Sequence, residues 1–123
     1  MYQENPWIVA DTGHNESGVT QILDQVKQYH PSHLTIILGM VADKDIDRVL
    51  KLFPKDAAYL FTEAQNPRAL KAEKLQEMAS RHGLTGQIAE NVNQAIELAR
   101  KSESDFILIT GSTYLVAEIE ESF

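Results

Sequence analysis

Short apolar runs alternate along this chain with longer segments in which apolar residues recur every three or four positions. The runs Trp7-Ile8-Val9-Ala10, Leu34-Thr35-Ile36-Ile37-Leu38, Ala57-Ala58-Tyr59-Leu60-Phe61 and Phe106-Ile107-Leu108-Ile109 are nearly unbroken and rich in β-branched residues. Strands covered by helices on both faces have this character. Gln87-Ile88-Ala89-Glu90 is weaker and reads as an edge strand. Between the runs, Val19, Ile22, Leu23, Val26 and Tyr29 share one helical stripe, as do Ile46, Val49, Leu50 and Phe53. The spacing recurs at Leu75, Met78, Ala79 and His82, at Val92, Ala95, Ile96 and Ala99, and at Leu115, Val116, Ile119 and Phe123. Five strands alternating with five helices are the mark of βαβ units and a mainly parallel sheet, an α/β domain.

Boundary signals agree with these elements. Asn91 with Gln94 forms a capping box, Asp43 is placed to cap the second helix, and His82-Gly83 ends the third in the usual glycine manner. Glu118, Glu120 and Glu121 read as a solvated helix face. No internal repeat, linker or low-complexity tract interrupts the pattern, so residues 1–123 are read as one domain.

Composition narrows the function classes. Eleven basic residues against 18 acidic give a net charge of −7, which disfavours nucleic acid and anionic lipid as partners. The chain has no cysteine, which excludes disulfides and zinc–cysteine sites and suits a cytoplasmic protein. No apolar run approaches the roughly 20 residues that span a bilayer. The opening Met1-Tyr2-Gln3-Glu4-Asn5-Pro6 lacks the basic-then-apolar order of a signal peptide.

Ligands of open α/β sheets bind beyond the carboxyl ends of the strands, which directs attention to four loops. Asp11-Thr12-Gly13-His14-Asn15 places a carboxylate, a glycine, an imidazole and an amide within five residues. Asp11 can accept a hydroxyl, His14 can donate to an anionic oxygen, and Gly13 admits a close backbone. The alternative is an N-cap formed by Asn15 or Ser17, with His14 in solvent. Gly111-Ser112-Thr113 offers amides and hydroxyls at a helix start, where Ser112 either helps to hold an anion or is an ordinary N-cap. Lys44, between Asp43 and Asp45, opposes the dipole at a helix start and is either a site residue or half of a surface ion pair. Arg68, after Pro67, either reaches a phosphate or carboxylate or lies free on the surface. His30, His33 and His82 read as structural or solvated, without metal-ligand spacing. Neither a G-x-x-x-x-G-K-[ST] phosphate loop nor a G-x-G-x-x-G fingerprint is present.

Taken in order, Ile8-Val9-Ala10-Asp11-Thr12-Gly13-His14-Asn15, Ile37-Leu38-Gly39-Met40-Val41-Ala42-Asp43-Lys44-Asp45, Pro67-Arg68-Ala69-Leu70 and Ile109-Thr110-Gly111-Ser112-Thr113-Tyr114-Leu115-Val116-Ala117-Glu118 resemble the C-terminal domain of the folylpolyglutamate synthase/dihydrofolate synthase family, which is Mur-ligase-like. The resemblance implies a Rossmann-like three-layer domain of the Mur ligase C-terminal type, a mostly parallel sheet of five or six strands with helices on both faces. It implies an ATP-dependent ligase in which a pteroate or folate carboxylate is activated as an acyl phosphate and attacked by the amino group of glutamate. Residues 1–123 would then be the C-terminal domain of a two-domain enzyme, inactive alone, with a larger N-terminal ATPase domain supplying the phosphate loop and most of the Mg²⁺ ligands.

By motif position, the resemblance implies ATP or glutamate contacts from Asp11, His14, Asn15, Lys44 and Ser112. Its partners would be the N-terminal domain, folate or dihydropteroate and L-glutamate, in an enzyme acting as a monomer. The family carries a Gly-Arg segment shortly before this first strand, its arginine directed at the ATP phosphates, whereas this sequence has Met1-Tyr2. An open sheet edge that favours self-association is therefore expected there. Two other readings are a stand-alone doubly wound binding or signalling module, such as a phosphorylation receiver, and the C-terminal domain of another Mur-type amino-acid ligase. A receiver requires an aspartate ending its third strand, where this sequence has Phe61-Thr62.

Overall fold

The apolar runs become strands because each is buried from both sides. A computed structural model of the chain describes residues 3–4, 7–11, 16–42, 46–102, 104–111, 115 and 117–118. Its elements are β1 (Gln3–Glu4), β2 (Trp7–Asp11), α1 (Glu16–Gln28), β3 (Leu34–Leu38), α2 (Ile46–Leu50), β4 (Ala58–Phe61), α3 (Ala72–Ser80), β5 (Gly86–Ile88), α4 (Val92–Lys101) and β6 (Phe106–Thr110). The six strands form one sheet in the order β1-β2-β6-β3-β4-β5. All neighbours are parallel except β1 and β2. The weak run occupies the β5 edge, as expected. The open edge expected beside β2 is narrowed by the structure: Gln3 pairs with Ile8 and Glu4 with Trp7, so the segment before β2 folds back and covers the first two residues of that strand.

Successive side chains of a strand point to opposite faces, and the two cores follow that alternation. Ile36, Leu38, Tyr59, Phe61, Phe106 and Leu108 join the buried faces of α1, α2 and α3. Ile8, Ile37, Leu60, Ile107 and Ile109 join α4 and Leu115 on the other side. The division follows from crossover handedness. The chain steps in one direction from β2 through β3 and β4 to β5, then returns to β6. Right-handed crossovers therefore place α1, α2 and α3 on one face and α4 on the other. Among the five parallel strands counted in chain order, the sheet reads first, fifth, second, third, fourth. A receiver reads 2-1-3-4-5, so the topology does not fit that alternative.

The helices match their stripes, with differences at their ends. α2 spans only Ile46–Leu50, far below the roughly 12–15 residues at which an isolated helix becomes marginally stable. Its existence depends on burying Ile46, Val49 and Leu50, and Phe53 reaches the same core from the following turn. Tyr29 lies beyond α1 and is 47% exposed, its ring centroid 5.5 Å from that of Phe106. α3 stops at Ser80, and Gly83 takes a positive φ of 79° while the Leu84 N–H donates to the Ala79 carbonyl at 3.1 Å. The His82 Nε2 meets the Asp47 carboxylate at 3.0 Å, joining the turn after α3 to α2.

Asn91 caps α4 as expected, its Oδ1 accepting the Gln94 N–H at 2.8 Å, while Gln94 Oε1 accepts from Glu90 N–H. α3 has no side-chain cap at Lys71; Glu63 from the preceding loop accepts the Ala72 N–H instead. Asp43 and most of the expected fifth helix lie outside the described residues. Within that helix, Leu115 is fully buried and its carbonyl accepts the Glu118 N–H at 3.1 Å. Among the described residues, no helix is long and apolar enough to cross a membrane.

Candidate functional site

Strand register brings the four chemically dense loops to one end of the sheet. Asp11 pairs with Thr110, Thr110 with Leu38, and Leu38 with Phe61. Four carboxyl ends thus finish level, and at a strand spacing of about 4.8 Å the Asp11 and Leu38 backbones flank Thr110 within about 10 Å of each other. The chain leaves β2 and β3 toward the first core, whereas Leu115, after β6, packs in the second. The elements that follow β6 and its two neighbours thus pack on opposite faces of the sheet, and it is at such a reversal that open α/β sheets form a ligand crevice.

Backbone packing closes the floor of this crevice. Gly111 has φ +118°, and a Cβ there would lie 2.2 Å from the Gly39 carbonyl oxygen. A Cβ on Gly39 would meet Leu115 Cδ2 at 2.9 Å and the Thr62 carbonyl oxygen at 3.0 Å. The Gly39 N–H donates to Thr110 O at 3.3 Å and the Thr62 N–H to Leu38 O at 3.0 Å. The loops after β3 and β6 therefore meet at a distance that only glycine permits at position 111, because a Cβ there would force the two backbones apart, and Gly39 is tightly enclosed by Leu115 and the residue after β4. Thr62 is fully buried at the end of β4, and its Oγ1 has no hydrogen-bond partner among the described residues.

One wall consists of the loops after β3 and β4, joined by an antiparallel bridge between Val41 and Ala69. The Ala42 N–H donates to Arg68 O and the Leu70 N–H to Met40 O, both at 2.8 Å. Arg68 N–H donates to Asn66 Oδ1 at 2.9 Å. Its backbone is thus fixed on both sides, while its side chain is exposed and makes no ion pair among the described residues. A cation so held in a chain of net charge −7 can attract an anion without first breaking an ion pair with any of the described residues. Beside it, Glu63 accepts from Ala72 N–H at 3.0 Å and pairs with Lys71 at 3.4 Å.

The far wall comes from the segment after β6. Glu118 Oε2 accepts the Gln65 N–H at 2.6 Å, and the Glu118 carbonyl accepts from Asn93 Nδ2 at 3.0 Å. This corrects the expectation that Glu118 is a solvated face: its side chain is half-buried and engaged. Nothing in local spacing indicated this role, or that of Glu63, because both partners are distant in sequence.

Of the residues singled out in the sequence, Asp11 is the last residue of β2 and is described through its backbone. His14, Asn15, Lys44 and Ser112 lie outside the described residues. The structure shows where their loops begin: after Asp11, Leu38 and Thr110, on adjacent strands. Among the described residues, no group of three or more His, Asp or Glu side chains could hold a metal ion.

Other features belong to the opposite end of the sheet. A groove of about 350 Å³ lies among α1, the start of β3 and the turn before β4, lined by Leu23, Val26, Leu34 and Leu52 with Lys27 and Asp56 at its rim. Among the described residues two groups have displaced pKa values, and both are structural. Burial, helped by the charge of Asp56, holds the Tyr59 phenol well above the usual tyrosine range while its hydroxyl donates to Pro54 O at 2.6 Å. Desolvation of Asp105 opposes its ionisation, but N–H donors from Ser32, His33 and its own backbone, with the nearby His33 charge, lower its pKa overall.

Comparison with known proteins agrees with this geometry. Residues 1–113 match the model of the Mur ligase glutamate ligase domain. The chain is 27% identical to the dihydrofolate synthase/folylpolyglutamate synthase of Bacillus subtilis, the match covering 98% of this chain and 29% of that protein. It is 28% identical to the folylpolyglutamate synthase of Lacticaseibacillus casei, over 97% of this chain and 27% of that one. Its fold superposes on Mycobacterium tuberculosis folylpolyglutamate synthase complexed with ADP at a TM-score of 0.76 and 25% identity, over 94% of this chain and 29% of the other. The chain therefore spans under a third of the length of these relatives.

Proposed function

This chain belongs to the Mur ligase glutamate ligase domain family, and on that premise we propose that it is the C-terminal lobe of an ATP-dependent ligase adding L-glutamate to dihydropteroate or folate. The relatives bear the names of such synthases, and the Mycobacterium tuberculosis structure holds ADP. The observation that carries the reading is the level alignment of strand ends around β6, from which the loops bearing Asp11, His14, Lys44 and Ser112 all start.

In this proposal the pterin-bearing carboxylate takes the γ-phosphoryl group of ATP and releases ADP, and the glutamate amine then attacks the acyl carbon, expelling inorganic phosphate and losing a proton as the amide forms. Gly39 and Gly111 let the loops after β3, β4 and β6 close against one another beneath the cleft. Asp11 and His14 contact ATP or glutamate, Asn15 supports that loop, and Lys44 and Ser112 hold glutamate, with Arg68 as an additional cation for its carboxylates. The reading assigns the Mg²⁺ ligands to an N-terminal ATPase lobe. The contribution of the present lobe is orientation of the amine and exclusion of water, effects that lower the barrier without covalent participation.

The proposal predicts that this chain alone turns over nothing, and that adding the separately expressed N-terminal lobe restores ATP- and Mg²⁺-dependent glutamate addition. In the full-length enzyme, Asp11→Ala and His14→Ala are each expected to lower kcat/KM by about tenfold or more, the scale of one lost hydrogen bond to a charged group. Normal turnover by both variants would sink the assignment of those residues.

A further inference from the structure

Glu118 joins three parts of the crevice that are remote in sequence. Its carboxylate accepts the Gln65 N–H at 2.6 Å, its carbonyl accepts from the α4 side chain Asn93 at 3.0 Å, and its own N–H returns to Leu115 O at 3.1 Å. Leu115, fully buried, packs directly over Gly39. Gln65 begins the turn whose Asn66 accepts from Arg68 and Ala69, and whose far end is bonded to the loop after β3 through Ala42 and Leu70. The turn presenting Arg68 is therefore held from two sides, and Glu118 is the hold on the side of β6.

We infer that Glu118 is a positioning residue: it fixes the Gln65–Arg68 turn and so sets where the Arg68 guanidinium stands against the anionic end of the amino-acid substrate. The inference deepens the proposed function and rests on it. The chemistry favours a positional role over a merely cohesive one. A short N–H bond to an ionised carboxylate is about twice as strong as a neutral one. It acts here on a backbone amide three residues before Arg68, in a turn whose other hold comes from the opposite wall. Losing it frees one side of the turn while both cores stay intact, since the Glu118 carboxylate itself belongs to neither.

The test uses steady-state kinetics of the full-length enzyme with Glu118→Ala, Glu118→Gln, Arg68→Ala and the Glu118→Ala/Arg68→Ala double variant. Glu118→Ala is expected to raise KM for glutamate about tenfold with kcat changed less than about twofold, and Glu118→Gln, which keeps an acceptor oxygen, to recover most of that loss. Because Glu118 acts through Arg68, the double variant is expected to be no worse than Arg68→Ala alone, whereas independent roles would add. Exchange of the Gln65 amide, followed by NMR in this chain, is expected to accelerate in Glu118→Ala. A lower melting temperature with unchanged KM for glutamate, or additive effects in the double variant, would overturn the inference while leaving the proposed function standing. A wild-type enzyme that adds no glutamate would overturn both.

Discussion

Gly111 occupies a position that tolerates no other residue without movement of its neighbours. Its φ of +118° is strained for any L side chain, and a Cβ would sit 2.2 Å from the backbone oxygen of Gly39. Backbone cannot yield as a flexible side-chain tip can, so Gly111→Ala should force β6 and β3 apart at the crevice floor. The expected cost is about 3 kcal/mol, combining unfavourable φ with steric overlap, and urea denaturation would measure it. A loss below about 0.5 kcal/mol would show that the two loops are not in contact. The glycine itself was visible in the sequence as a loop residue of the Thr110-Gly111-Ser112-Thr113 segment. Its partner was not, since no local pattern indicates that the carbonyl opposing it belongs to Gly39.

Among the elements, the amino end of β6 is bound to the turn between α1 and β3 by one carboxylate. Asp105 accepts the Ser32 N–H at 2.7 Å and the His33 N–H at 2.8 Å, and its own N–H donates to His33 O at 3.1 Å. Its pKa is lowered in the folded chain from the ordinary 3.8. A depressed carboxylate contributes stability that is fully present above the unfolded pKa and is lost as pH falls through the folded value. Stability is therefore expected to decline below about pH 4, and Asp105→Asn should be less stable at pH 7 with a flatter acid slope, as read from urea midpoints between about pH 3 and 7. An unchanged slope would show that Asp105 does not carry the linkage. Elements of this kind divide by range. The Asn91–Gln94 cap was legible because both partners lie within one turn of helix. The Glu63 cap on α3 and the Asp105 staple were not, because their partners come from other elements.

For the whole molecule, the sheet order decides how its edges are managed. β1 covers the outer side of β2 over two residue pairs, and unpaired strand edges are templates for association. A chain starting at Trp7 should therefore self-associate in a concentration-dependent way in sedimentation velocity, more strongly than the intact chain. Equal behaviour of the two would show that β1 does not protect the edge. The order also explains why the strongest candidate chemistry gathers at one end: reversal of direction between β5 and β6 inserts β6 between β2 and β3, and so brings the loops after all three together.

By itself the sequence determined the class of fold, the strand and helix stripes, the α4 cap and the family resemblance carried by its loops. These depend on local periodicity and on residue types a few positions apart, which packing then follows. Only the tertiary structure decided that Gln3–Glu4 covers the start of the β2 edge, that Gly39 and Gly111 touch, and that Glu118 reaches across to Gln65. Each of those is a meeting of segments far apart along the chain, and hydrophobic periodicity, which reports what a residue's own element must bury, carries no information about which distant segment will be there to meet it.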